Sequence, residues 1–264
     1  MTFPYTHAIF RKEIVEERYR MKTGKYVDIH CHILPGVDDG APDLDAALQM
    51  LKQEAQEGVG KIILTPHQKP EHWCVTAGGI EKRLGRLQKE AENLGIPVRL
   101  YPGAELMYCR GMRELLDAGK VCTLAHSRYV LVEFMPAEEW NYIRNGIYDL
   151  AGGGYWPVLA HVERYVRLAD RPERVQELIE MGAYIQMNAS SVAGTEGGRT
   201  RRNCMKLLQQ QLVHFVGTDA HRAEGNRSPQ LEACVRLLKK QLGEAYVRRL
   251  LWKNAENILG NIQL

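Results

Sequence analysis

The chain has 264 residues, 45% hydrophobic and 25% charged, with 35 Lys and Arg against 32 Asp and Glu for a formal charge of +3. That length and apolar content sustain one α/β barrel-sized domain, while the near balance of charge excludes the dense basic footprint of a nucleic-acid binder. The first thirty residues carry Arg11-Lys12-Glu13 and Glu16-Glu17-Arg18 instead of an apolar leader, and no run is apolar for long enough to insert in a membrane, so a soluble cytoplasmic protein is expected. Cys31, Cys74, Cys109, Cys122, Cys204 and Cys234 lack zinc-knuckle or secreted-domain spacing, which predicts free thiols in a reducing compartment.

Residues 1–25 read as a charged N-terminal arm, with a short helix over Glu13–Met21 that is either solvated or an oligomer contact. From residue 26 to 264 one domain is expected. Short Val-, Ile- and Tyr-rich runs at Tyr26–His32, Lys61–His67, Val98–Glu105, Tyr129–Phe134, Trp156–His161, Ala183–Asn188 and Val213–Asp219 predict seven buried strands. Between them run helical stripes, for example Leu44, Ala47, Leu48, Leu51 and Ala55, then Ile80, Leu84, Leu87, Ala91 and Leu94. Gly58, Gly95 and Gly182 mark helix stops, and Arg171-Pro172 opens a helix ending near Met181. Repeated βα units imply a parallel sheet, and closure into a barrel would gather the strand ends around one mouth.

Histidines and carboxylates recur at those strand ends. His30-Cys31-His32 closes the first strand, and the period-two alternation of strand side chains turns both imidazoles the same way, able to grip one ion. His67 ends the second strand, Glu105 the third, Glu133 the fourth and His161 the fifth; the seventh runs into Asp219-Ala220-His221. A single buried His or Glu at a strand end is most often a hydrogen-bonded core residue. Six of seven strands delivering a ligand type to one rim is a different matter. His7, His72, His126 and His214 match no strand end and read as ordinary residues, and Asp38-Asp39 fits either a ligand loop or a turn.

The run Asp28-Ile29-His30-Cys31-His32-Ile33-Leu34-Pro35-Gly36-Val37-Asp38-Asp39-Gly40, with Thr65-Pro66-His67, Gly103-Ala104-Glu105, Tyr129–Phe134, Ala160–Arg164 and Thr218-Asp219-Ala220-His221, resembles the CpsB/YwqE-like bacterial protein-tyrosine phosphatases of the PHP (polymerase and histidinol phosphatase) superfamily. The resemblance runs from about Tyr26 to the C-terminus. It implies a distorted (β/α)7 TIM-like barrel with a three-metal cluster at the C-terminal strand ends. His30, His32, Glu105 and Asp219 would hold one ion, Glu105, Glu133 and His161 a second, and Asp39, His67 and His221 a third. Arg164 and Arg227 match the family's phosphate-contacting arginines, with surface ion pairs as the bland alternative. Gln68-Lys69-Pro70 departs from relatives, which tend to carry histidine or arginine there.

The chemistry so implied is hydrolysis of phosphotyrosine by metal-activated water, with the arginines neutralising phosphoryl oxygens and no general acid assigned. Mixed imidazole and carboxylate ligands suit manganese, iron, zinc or magnesium, and the resemblance favours manganese. The implied partner is a phosphotyrosine protein, the tail of a bacterial tyrosine autokinase of capsule or exopolysaccharide biosynthesis. Alternatives on the same fold are a histidinol-phosphate or other small phosphomonoester phosphatase and a non-catalytic metal-binding module; an amidohydrolase fits less well, since it calls for an eighth strand and other ligands. Cys122 to Arg128 has the Cys-x5-Arg spacing of cysteine-dependent tyrosine phosphatases, but it lacks glycine and runs into a strand instead of a helix N-terminus.

Overall fold

The strands form where short β-branched runs can be buried on both faces. The computed structural model describes residues 24–69 and 75–264. The expected helix over Glu13–Met21, most of the N-terminal arm, His7, His72 and Cys74 lie outside the described residues. The strands are β1 (Tyr26–Cys31), β2 (Val59–Leu64), β3 (His67–Gln68), β4 (Arg99–Pro102), β5 (Glu105–Met107), β6 (Tyr129–Glu133), β7 (Trp156–Leu159), β8 (Tyr184–Asn188) and β9 (Phe215–Gly217). Every ladder is parallel, in the orders β1-β2-β4 and β3-β5-β6-β7-β8-β9. β6 and β8 are buried at every position, as parallel strands under helices must be.

Two expected strands are each interrupted. Lys61–His67 breaks between β2 and β3 at Thr65-Pro66, where proline has no N–H to offer the ladder. Val98–Glu105 breaks between β4 and β5 at Gly103-Ala104; a Cβ on Gly103 would come within 2.8 Å of Ile63 Cγ2 and 3.2 Å of the Leu64 carbonyl, so only glycine lets the backbones approach. Hydrogen bonds cross the gap from Thr65 N to Cys31 O (2.9 Å) and from Glu105 N to Pro66 O (3.1 Å). At the opposite margin Asp219 N donates to His30 O (2.7 Å) and His32 N to Ala220 O (2.8 Å). The result is a curved, parallel α/β fold of barrel-like form.

Period-two alternation then divides the side chains. Val130 and Val132 of β6 join the larger apolar cluster against the helices, while Tyr129 and Leu131 join a smaller inner one with Val27, Ile29, Ile63, Val158, Ala160, Tyr184 and Phe215. Glu133 continues that inner series one step beyond Leu131. The same holds on β8, where Gln186 and Asn188 follow Tyr184. An apolar floor therefore underlies a polar upper layer.

The helices match their sequence signals. α1 (Leu44–Glu57) is capped by Asp43 accepting from Ala46 N and ends at left-handed Gly58, and α2 (Ala77–Asn93) is capped by Thr76. α3 spans Met112–Asp117, α4 Trp140–Gly152, α5 Pro172–Glu180, α6 Ala189–Ala193, α7 Gly198–Gln209 and α8 Glu232–Leu242. Leu44 and Leu94, placed at the ends of the first two apolar stripes, stay exposed, because each sits where its helix leaves the core.

Candidate metal centre

The upper layer brings together every residue expected to ligate. His67 and Glu105 are register partners on β3 and β5, and Glu133 lies opposite Met107 on β6. Glu105, almost wholly buried, is the hub: its oxygens lie 3.3 Å from His30 Nε2, 3.3 Å from His32 Nε2, 3.2 Å from His67 Nδ1 and 2.9 Å from His161 Nε2. Glu133 lies 3.2 Å from His67 Nδ1 and 3.6 Å from His161 Nε2. Asp219 Oδ1 stands 3.5 Å from the Nε2 atoms of both His30 and His32. Asp39 Oδ1 is 3.6 Å from His67 Nε2 and 3.5 Å from His221 Nε2.

Three sets of ligand atoms lie within 4.8 Å of one another: His32, Asp39, His67 and His221; His30, His32 and Asp219; and His67, Glu105 and Glu133. The grouping overlaps the one implied by resemblance but is not identical, because His32 and His67 each belong to two sets and His161 reaches the cluster through Glu105.

The donor chemistry fits cations. His30 and His32 turn their Nε2 atoms toward each other at 3.4 Å, while their Nδ1 atoms face Gln186 Oε1 at 3.2 Å and Asp38 Oδ2 at 2.8 Å. With an acceptor at each Nδ1, the neutral rings keep their proton there and aim Nε2 lone pairs at a common point ringed by carboxylates. Such a point lacks donors and calls for a positive ion. Burial alone would lower the His32 and His161 imidazoles, yet their carboxylate neighbours, Asp38 and Glu105 for His32 and Glu105 and Glu133 for His161, push both up to about 10. The field that draws protons onto these rings is the field that would hold metal.

The backbone is bent to serve this layer. His161 (φ 34°) and Asp219 (φ 51°) occupy the left-handed region, unusual for residues with a Cβ and tolerated where surrounding bonds over-determine the conformation. His161 N donates to Gln186 Oε1 at 2.6 Å and Asp219 N to the His30 carbonyl.

Both predicted arginines reach the rim. Arg164 Nη2 lies 2.8 Å from Asp219 Oδ2, and burial is outweighed by Asp219 and Glu163, which hold the guanidinium firmly charged. Arg227 Nη2 lies 2.5 Å from His221 Nε2, and its Nη1 is 3.5 Å from Asp39 Oδ2. Arg227 thus engages two of the residues expected to hold the third ion, and His221 Nε2 would be free to ligate only with this guanidinium turned away.

Several contributors escaped sequence reasoning. Asp38, ambiguous in sequence, accepts from His67 N at 2.9 Å and Gly40 N at 2.9 Å besides orienting His32. Gln186 and Asn188 stand on β8, which ends in none of the expected ligands; two polar residues at alternate positions of an otherwise apolar strand are the available signal. Asp28, behind the site, accepts from the Thr218 hydroxyl at 2.6 Å beside buried Glu54, and burial pushes both carboxyls up. Gln68, in the stretch that departs from relatives, turns inward and accepts from Cys122 N at 2.7 Å. That residue ties loops together.

His126 and His214 stand apart from the centre. His126 is exposed and pairs with Glu81, while His214 Nδ1 accepts from Ile185 N. Burial pushes the Cys122 thiol up to about 11, opposite to a nucleophilic cysteine, and Arg128 reaches over the Trp156 ring. No helix of the described residues is long and apolar enough to cross a membrane.

Fold and site together define a parallel, barrel-like α/β protein with clustered imidazoles and carboxylates at its strand ends. The chain belongs to the CpsB/CapC family of capsular polysaccharide synthesis, whose profile matches residues 26–260. It is 31% identical over 235 residues to the tyrosine-protein phosphatase YwqE of Bacillus subtilis, covering 89% of this chain and 92% of that protein. To the tyrosine-protein phosphatase CpsB of Streptococcus pneumoniae it is 29% identical over 238 residues, covering 88% and 98%. A crystal structure described as that of YwqE from Bacillus subtilis and CpsB from Streptococcus pneumoniae, "unique metal-dependent tyrosine phosphatases", matches with a TM-score of 0.85 at 31% identity, over 90% of this chain and 96% of that one. A histidinol phosphate phosphatase from Lactococcus lactis matches at a TM-score of 0.54 and 14% identity, over 82% of this chain and 93% of that one, a likeness of fold alone.

Proposed function

We propose that this chain is a cytoplasmic, metal-dependent protein-tyrosine phosphatase whose substrate is the phosphorylated tail of a bacterial tyrosine autokinase serving capsule or exopolysaccharide synthesis. The observation that carries the reading is the position of Glu105, within 3.3 Å of four imidazoles contributed by β1, β3 and the end of β7. A carboxylate so placed can bridge two cations, which a neutral imidazole cannot. Family membership and the named activity of the relatives add to it. Counting β2 with β3 and β4 with β5 as single interrupted strands gives seven parallel strands, a distorted (β/α)7 barrel carrying the site at its C-terminal ends.

Three divalent ions, manganese foremost, would be held by His30, His32, Asp39, His67, Glu105, Glu133, His161, Asp219 and His221. When bound they would supply Lewis acidity and a water activated near neutral pH. Arg164 binds the phosphoryl oxygens from beside Asp219, and Arg227 does so from beside Asp39. Both hold charge where it develops during displacement. A tyrosinate leaving group, with a reference pKa of about 10, departs without a strong general acid. Asp39 is 39% and Arg164 31% exposed at the side chain, so the mouth is open enough for a residue on a flexible chain.

The deciding experiment compares turnover of a phosphotyrosine peptide and of histidinol phosphate by metal-defined enzyme. Preference for the peptide is expected. Preference for histidinol phosphate would replace this reading with that of a small-molecule phosphatase, and silence on both with each of the four metals would favour a non-catalytic module.

A further inference from the structure

Six strands bring candidate ligands to the centre and β8 brings none, yet β8 touches three of them. We propose that Gln186 and Asn188 form a positioning relay that sets the ligand geometry of His30, His161 and Asp219 as one unit. The inference rests on reading those three residues as metal ligands, but not on which phosphoester is cleaved.

The relay has a forced direction. The His161 backbone N–H, 2.6 Å away, can only donate, so the Gln186 atom facing it is the carbonyl Oε1. That same oxygen faces His30 Nδ1 at 3.2 Å, which places the imidazole proton on Nδ1 and the lone pair on Nε2, toward Glu105 and Asp219. With Oε1 so assigned, Gln186 Nε2 must donate, and Asn188 Oδ1 receives it at 3.0 Å. Asn188 is thereby oriented in turn: its Nδ2 donates to Asp219 Oδ2 at 2.8 Å, leaving Asp219 Oδ1 turned to His30 and His32. One backbone N–H decides the orientation of two amides, a tautomer and a carboxylate.

Two further features fit this role. Both amides are fully buried, and every side-chain hydrogen bond of Gln186 goes to a ligand or to Asn188. Neutral amides fix orientation without adding a further buried negative charge beside Glu105, Glu133 and Asp219, which would need its own partner. The floor is also shaped for them. A Cβ at Gly217 would come within 2.9 Å of His30 Cβ and 3.2 Å of Gln186 Nε2, and Gly217 is not among the positive-φ glycines, so its lack of a side chain provides space.

Metal retention tests the relay separately from turnover. Gln186→Met keeps the side-chain length and removes donor and acceptor; retention of manganese against a competing chelator is expected to weaken by about 10–100-fold. The visible absorption of the cobalt(II)-loaded protein should shift with it. Asn188→Ala cuts only the last link and is expected to alter the cobalt spectrum with a smaller loss of retention, and it decides the matter if Gln186→Met fails to fold. Gly217→Ala should reproduce the Gln186→Met phenotype by displacement. Variants that fold and retain manganese with the parent's cobalt spectrum would overturn the proposal, whether or not their turnover fell. A parent that binds metal but hydrolyses no phosphoester would sink the phosphatase reading and leave these readouts intact.

Discussion

Arg164 Nη2 and Asp219 Oδ2 lie 2.8 Å apart, so a guanidinium expected to bind phosphate rests against a carboxylate expected to bind metal. A phosphoryl group held at an ion on Asp219 would be within reach of this arginine. Arg164→Ala is expected to lower kcat/KM on a phosphotyrosine peptide by about 10²–10³-fold, the usual cost of losing one preorganised charge-stabilising donor. Metal content measured in parallel should not change; a fall in bound metal that accounts for the lost activity would make Arg164 a structural partner of Asp219 instead.

Removal of metal should silence the enzyme. Dialysis against EDTA is expected to abolish hydrolysis of p-nitrophenyl phosphate, and manganese to restore it. Glu105→Gln keeps the size of the hub but removes its charge from among four imidazoles. Elemental analysis should find less metal per chain than in the parent, and added manganese should not recover turnover. Full loading and activity in this variant would contradict the bridging role.

Cys122 should be dispensable. Its thiol is pushed up by burial, with Glu81 adding to the shift, so little thiolate exists at neutral pH. Cys122→Ser is expected to keep kcat within about twofold of the parent, since only groups acting in the transition state alter it. Abolished activity with metal still bound would reopen the cysteine mechanism.

His214 should shape acid stability. Burial, with Arg249 adding to it, lowers the imidazole from 6.5 to about 4, and the neutral ring accepts from Ile185 N. A depressed folded-state value means the unfolded chain binds the proton more readily; the associated stability is present above pH 6.5 and is lost as pH falls toward 4. The full effect is on the order of 3 kcal/mol. His214→Asn offers an acceptor that does not titrate, so its urea-unfolding free energy should fall less steeply than the parent's across that window. Parallel curves would show that His214 is not buried in its neutral form.

Much of the architecture was legible along the chain because its signals are local. Tyr129–Glu133 announces a strand by β-branched residues, Gly58 closes α1, and Pro172 opens α5 by its fixed φ. The break at Gly103-Ala104 was not legible, since it depends on how closely β2 and β4 approach each other. Gln68 shows the same limit: the sequence marks its stretch only as a departure from relatives, and the fold turns it inward to Cys122.

The amino-acid order alone determined which residues stand at the strand ends, because period two and strand length are properties of a short segment. Eight of the nine candidate ligands could be picked out in this way, while Asp39, in the loop after β1, is implied only by the family resemblance. Which of them meet, and what steadies them, was decided only by the fold. His30 and Gln186 are separated by 156 positions and His32 and Asp38 by 6, yet each pair fixes a tautomer. Contacts of that kind arise from strand curvature and register, which sum small rotations over the entire barrel-like sheet and leave no mark in any one stretch of sequence.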